Sequence, residues 1–160
     1  MNKSQIPVAQ KDVLSLLLDD HKEVKKLFKE FEAEKSQAAK EDIAREACMK
    51  LTAHASIEEE LFYPFLRAQN PDAFGDLLNE ALVEHGTAKE LIAQIQATSI
   101  EDDDLYEAKV TVLSEYIAHH VTEEEDELFP KVIGKKVDLR EILTPMIERK
   151  EELLHSAAAA

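Results

Sequence analysis

The sequence predicts an all-α protein: an up-down-up-down four-helix bundle followed by a short C-terminal helical extension. Apolar residues recur at intervals of three and four along four long stretches, the period of helices buried on one side. Only three glycines occur in 160 residues, too few for the many turns of an all-β chain. Polar or turn-forming segments separate the stretches, leaving the short connections that suit antiparallel neighbours.

From Asp12, the first stretch carries Leu14, Leu17, Leu18, His21, Val24, Phe28 and Phe31, and fades at Lys35-Ser36-Gln37. The second carries Ile43, Ala47, Leu51, His54, Glu58, Leu61 and Phe62 and then meets Pro64, whose missing N–H predicts a bend or a stop. Asn70-Pro71-Asp72 is a turn by composition. The third carries Leu78, Leu82, His85, Ala88, Ile92 and Ile95, and the run Ser99 to Asp104 ends it and caps the next helix. In the fourth, Leu105, Val112, Leu113, Tyr116, Ile117, His120, Glu124 and Leu128 lead to Pro130 and Gly134. Asp138 to Leu154 reads as one or two short helices, with Thr144-Pro145 as N-cap and first helical residue. The alanines Ala157 to Ala160 carry no site chemistry. The expectation is one domain over residues 1–160, with a bundle core at about 12–133 and an extension over 134–160.

Charge narrows the function. With 34 acidic and 19 basic side chains the net charge is −15, which disfavours nucleic acid and anionic membranes as partners. One cysteine, Cys48, permits no internal disulfide, and the first dozen residues hold no apolar signal core. No apolar run is long enough for a bilayer. A cytoplasmic protein is expected.

Histidines fall on all four inward stripes, and in the second and fourth a glutamate joins them. His54 and Glu58, like His120 and Glu124, are four residues apart and so project from one helix face. A buried, unpaired carboxylate is costly. Two of them converging with four imidazoles call for a cation, and this donor set suits iron, zinc or manganese rather than copper(I). The halves also repeat: Asp20-His21 with Lys25 matches Glu84-His85 with Lys89, and HASIEEELFYP matches HVTEEEDELFP. A duplicated helical hairpin suits two metal ions bridged by Glu58 and Glu124.

His21, His54/Glu58, His85 and His120/Glu124, in this order and over roughly Val13 to Val132, resemble the hemerythrin-like, or HHE cation-binding, domain family. The resemblance implies a four-helix bundle with two iron ions in an oxo- or hydroxo- and carboxylate-bridged di-iron centre, the histidines terminal and the carboxylates bridging. Oxygen-carrying hemerythrins have a further histidine one turn after the third-helix histidine; here that position is Lys89. The resemblance therefore favours hydrogen peroxide or nitric oxide over dioxygen carriage, in a detoxification or response role that includes catalase-like turnover. The alternative is a binding module: an iron store or donor, or an oxygen or redox sensor.

Around these ligands, Tyr116 is one turn before His120, where it could donate a hydrogen bond to a metal-bound ligand or serve as a one-electron donor. Tyr63 reads as packing, Lys25 and Lys89 as snorkelling stems, and Cys48 as a small buried residue. His119 belongs to the periphery and His155 to solvent. Gly86 is unfavourable in a helix interior, and close helix approach would account for it.

Overall fold

A computed structural model describes residues 1–159, and every regular element among them is helical. Ala160, the last of the terminal alanines, lies outside the described residues. Helix α1 (Val8–Ala33) begins a turn earlier than the apolar stripe, because the Pro7 carbonyl already accepts from the Gln10 and Lys11 amides. Helix α2 (Gln37–Ile57) starts where Ser36 caps it, Oγ accepting from the Ala39 amide. In α4 (Pro71–Gln96) the Asn70 side chain accepts from the Ala73 amide. Asp103 performs a related service before α5 (Tyr106–Glu123), accepting from the Leu105 amide.

Neither Pro64 nor Pro130 breaks its helix. Each is preceded by a π-helical turn, Glu58–Phe62 and Glu124–Leu128. In these turns the Tyr63 amide donates to the Glu58 carbonyl and the Phe129 amide to that of Glu124, each five residues back. Short helices α3 (Tyr63–Gln69) and α6 (Phe129–Gly134) then continue with the prolines in their first turns, where a missing N–H costs little. In a regular α-helix the fifth residue on lies about 140° around the axis. A π turn brings it back over the first.

Helix α1 packs on α2 and α5, and α4 packs on α5 and α2. The C-terminal region differs from the expected short extension. After a 3-10 turn, Arg140–Ile142, comes one 17-residue helix, α7 (Leu143–Ala159), laid against α2. The turn runs directly into α7, so Thr144 lies inside the helix and does not cap it. Met146, fully buried, helps seat it.

The buried apolar residues form two clusters. One includes Leu14, Leu17, Phe62, Leu78 and Phe129; the other includes Val24, Leu51, Ile92, Leu113 and Ile117. At their boundary fall six of the buried polar residues, His21, His54, Glu58, His85, His120 and Glu124. Leu82, Leu105 and Val112, expected on the stripes, are exposed. In α4 the buried line runs Leu78, Ala81, His85, Ala88, which leaves Leu82 on the flank. Among the described residues, no helix is long and apolar enough to cross a membrane.

Candidate metal centre

Each of the four helical columns delivers one imidazole to the boundary layer, and the columns of α2 and α5 add one glutamate each. The outer nitrogen of every ring is tied to a carboxylate. His21 Nδ1 pairs with Glu125 at 2.8 Å, His54 Nδ1 with Asp20 at 2.8 Å, His85 Nδ1 with Glu59 at 2.9 Å and His120 Nδ1 with Glu84 at 2.9 Å. The scheme follows the sequence repeat. The acid preceding each lone histidine (Asp20, Glu84) holds a paired histidine, and the acid following each inner glutamate (Glu59, Glu125) holds a lone one. A carboxylate at Nδ1 fixes ring orientation and aims the Nε2 lone pair inward.

All four Nε2 atoms therefore face Glu58 and Glu124. Glu58 Oε1 lies 3.2 Å from His54 Nε2 and 3.3 Å from His85 Nε2. Glu124 offers Oε1 to His21 at 3.2 Å and Oε2 to His120 at 3.4 Å. The atoms divide into two clusters, His21, His54, Glu58, Glu124 and Glu58, His85, His120, Glu124, each with ligand atoms within 4.8 Å of one another. The two glutamates belong to both. His85 and His120 bring their Nε2 atoms to 3.1 Å. That is the separation of two imidazole nitrogens each about 2.1 Å from a shared cation and near a right angle.

The donor set also shows what it lacks. His21 Nε2, His54 Nε2, both oxygens of Glu58 and Oε1 of Glu124 are buried without a hydrogen-bond partner. Such orphans are costly unless a cation satisfies them. Metal-free, protons take that place. Burial depresses His54, but the Glu58 charge and the Asp20 hydrogen bond outweigh it and raise it to about 10. Burial likewise opposes protonation of His120, and Glu124 and Glu58 raise it to about 12. Glu58, despite complete burial, is held well below the usual carboxylate range by the imidazoles around it. This is a buried His/Glu metal-binding cluster of nitrogen and oxygen donors. Cys48 lies elsewhere, buried, its thiol pushed up to about 12 by desolvation.

Beside the cluster, on the α4–α5 and α1–α2 seam, is a cavity of about 30 Å³ lined by the four histidines and by Val24, Leu51, Ala88, Ile92, Ile117 and Val121. A water needs roughly 10–15 Å³ by the same measure, so molecules of two or three heavy-atom size are accommodated.

Tyr63 and Tyr116 exchange the places expected of them. Tyr116 is 41 % exposed and lines a surface groove with Val83, Glu84, Thr87 and His119. Its neighbour Ile117, three residues before His120, takes the inward position. Tyr63 is buried, its hydroxyl donating to Glu124 Oε2 and lying 3.4 Å from His85 Nε2. The π turn is the reason: it stacks Tyr63 over Glu58, five residues earlier. Phe129 stands in the same relation to Glu124 and lies parallel to the His21 ring at 6.0 Å. The proline that invites a π turn was the signal in the sequence for Tyr63.

The remaining expectations resolve simply. Lys89, expected to snorkel, pairs with Glu59 at 2.6 Å. His119 is exposed between Glu84 and Glu123, and His155 is exposed. A Cβ at Gly86 would meet nothing within 4 Å, so close approach does not explain that glycine.

The helical fold is shared by a solved structure. A hemerythrin HHE cation-binding domain from Mycobacterium kansasii, solved by crystallography, superposes with a TM-score of 0.72 over 91 % of this chain and 88 % of its own, at 23 % identity. A curated relative named DNA nickase, from Nostoc sp. (strain PCC 7120 / SAG 25.82 / UTEX 2576), is 31 % identical over 113 residues, 71 % of this chain. This chain spans only 31 % of that relative's length. The family model described as hemerythrin HHE cation binding domain matches residues 12–132, a stretch that contains all six inward-facing ligand candidates. The chain belongs to the hemerythrin HHE cation-binding domain family.

Proposed function

We propose that α1, α2–α3, α4 and α5–α6 act as the up-down-up-down bundle of this family and hold two iron ions. Their ligands are His21 and His54 on one side, His85 and His120 on the other, and Glu58 and Glu124 between. The physiological ligands are small oxidants or gases: hydrogen peroxide, nitric oxide or dioxygen, with peroxide or nitric oxide detoxification in a reducing cytoplasm as the role. The observation that carries this is the set of unpartnered Nε2 and carboxylate atoms beside a cavity of about 30 Å³. Iron bound there would supply exchangeable coordination positions and electrons for such ligands.

The chain's own residues shape the rest. The Nδ1 carboxylates hold the rings still, so little reorganisation accompanies a change of metal charge. Apolar side chains around the cavity keep bulk water and large molecules out, which favours neutral diatomic and peroxidic ligands. Burial and the charges of Glu124 and Glu58 push the Tyr63 hydroxyl well above its ordinary range, so it stays a proton donor to Glu124. Lys89 replaces the extra histidine of oxygen carriers, which supports reaction over reversible carriage. Net charge of −15 opposes binding to DNA, so the activity in the Nostoc relative's name is not extended to this chain.

The test is metal analysis with optical spectroscopy of the aerobically purified protein before and after adding peroxide, azide or nitric oxide. About two irons per chain and a charge-transfer band that shifts with these ligands are expected. Iron-replete protein that ignores all three would defeat the proposal, and release of iron to an acceptor without turnover would favour the donor alternative.

A further inference from the structure

Three of the four carboxylates that hold an imidazole have a lysine or ammonium group on their outer side. Glu59 pairs with Lys89. Glu125 has Lys25 nearby and the N-terminal ammonium group 3.7 Å away. Lys25 and Lys89 each follow their histidine by four residues, so the internal repeat accounts for both. The other two carboxylates depart from that symmetry. Glu84 faces His119, which is 65 % exposed at 3.5 Å. Asp20 is 6 % exposed and is held by Lys150 of α7, a helix beyond both the repeat and the family-matched residues 12–132.

Asp20 spends its two oxygens in opposite directions. Oδ2 pairs with His54 Nδ1 and Oδ1 accepts from Lys150 Nζ. Lys150 comes from a helix anchored by the buried Met146 and by Arg149, which pairs with Glu60 in the π turn of the same column at 3.2 Å. We propose that Lys150 is a positioning residue for the His21–His54 half of the centre, holding Asp20 so that His54 stays aimed at its ion. The two ion positions are then unequal: one is latched from outside by α7, and the other, behind Glu84, is not. This inference rests on the two-metal reading above.

The test uses the full chain, stripped of metal, reloaded with Fe(II) without oxygen and challenged with excess ferrous chelator. Release from the wild type should occur in two phases. Lys150→Met keeps most of the stem and removes the charge. It should accelerate the slow phase about tenfold, the low end of what losing an outer partner does to metal affinity, and leave the fast phase unchanged. Arg149→Met removes an ion pair of the same helix without touching Asp20 and should leave both phases as they were. A single wild-type phase releasing two irons, no change in Lys150→Met, or equal acceleration of both phases would overturn the inference. Equal acceleration would mean that α7 had merely loosened. A wild type that holds fewer than two irons would overturn the two-metal reading itself, and so separates the two failures.

Discussion

Tyr63 donates its phenolic hydrogen to Glu124 across the interior, joining residues 61 positions apart. The equivalent position in the other half, Phe129, has no hydroxyl, so this hydrogen bond has no counterpart there.

Tyr63→Phe removes the hydroxyl that donates to Glu124 Oε2. A lost hydrogen bond to a buried charged group should cost about 1.5–3 kcal/mol. Denaturant unfolding of the metal-free protein should show that loss, while Tyr116→Phe, at an exposed groove, should change stability by less than about 0.5 kcal/mol. Equal effects of the two substitutions would remove Tyr63 from the centre.

Glu58 lends its carboxylate to both ligand clusters. Glu58→Ala should therefore lower the metal content of both positions, measured by elemental analysis after desalting. Retention of one full equivalent would mean that Glu58 serves a single ion.

Removing metal leaves buried orphans and should lower the melting temperature. Metal at a hundred times its dissociation constant contributes about 2.7 kcal/mol, which for a chain of this size is about 5–10 °C. Differential scanning calorimetry of apo and reloaded protein provides the check; identical melting, with metal confirmed in one sample, would contradict a buried site.

In the metal-free protein, His54 is raised to about 10 and His120 to about 12. A histidine more basic when folded than its unfolded value near 6.5 stabilises fully below that value and loses its contribution as pH rises through the folded one. Apoprotein stability should thus decline from about pH 7 onward to pH 10. Metal binding should do the reverse, strengthening with pH, because each ion must displace protons from these rings. A pH series of melting curves with and without metal distinguishes the two slopes.

Gly86 is exposed in the interior of α4 with open space around its Cβ direction. Gly86→Ala should raise stability by about 0.5–1 kcal/mol. Thermal melting is sufficient to see it, and destabilisation would show that the position needs glycine for a reason other than space.

Periodicity and spacing determined the helical class, the four inward stripes and the six residues at their boundary. These are local properties: a residue four along a helix returns to the same face whatever the helix packs against. The repeat of the two halves was legible for the same reason. Tertiary structure decided what depends on neighbours. It tied each Nδ1 to a carboxylate on another helix, and no spacing along one chain segment reports such a pairing. It placed a π turn before Pro64, where the sequence pointed to a bend, and so rotated Tyr63 inward; the packing of α5 left Tyr116 in a surface groove. It also made the C-terminal region one long helix whose Lys150 reaches Asp20, 130 residues away in the chain. One-dimensional order specifies faces; contacts between faces come only when helices pack.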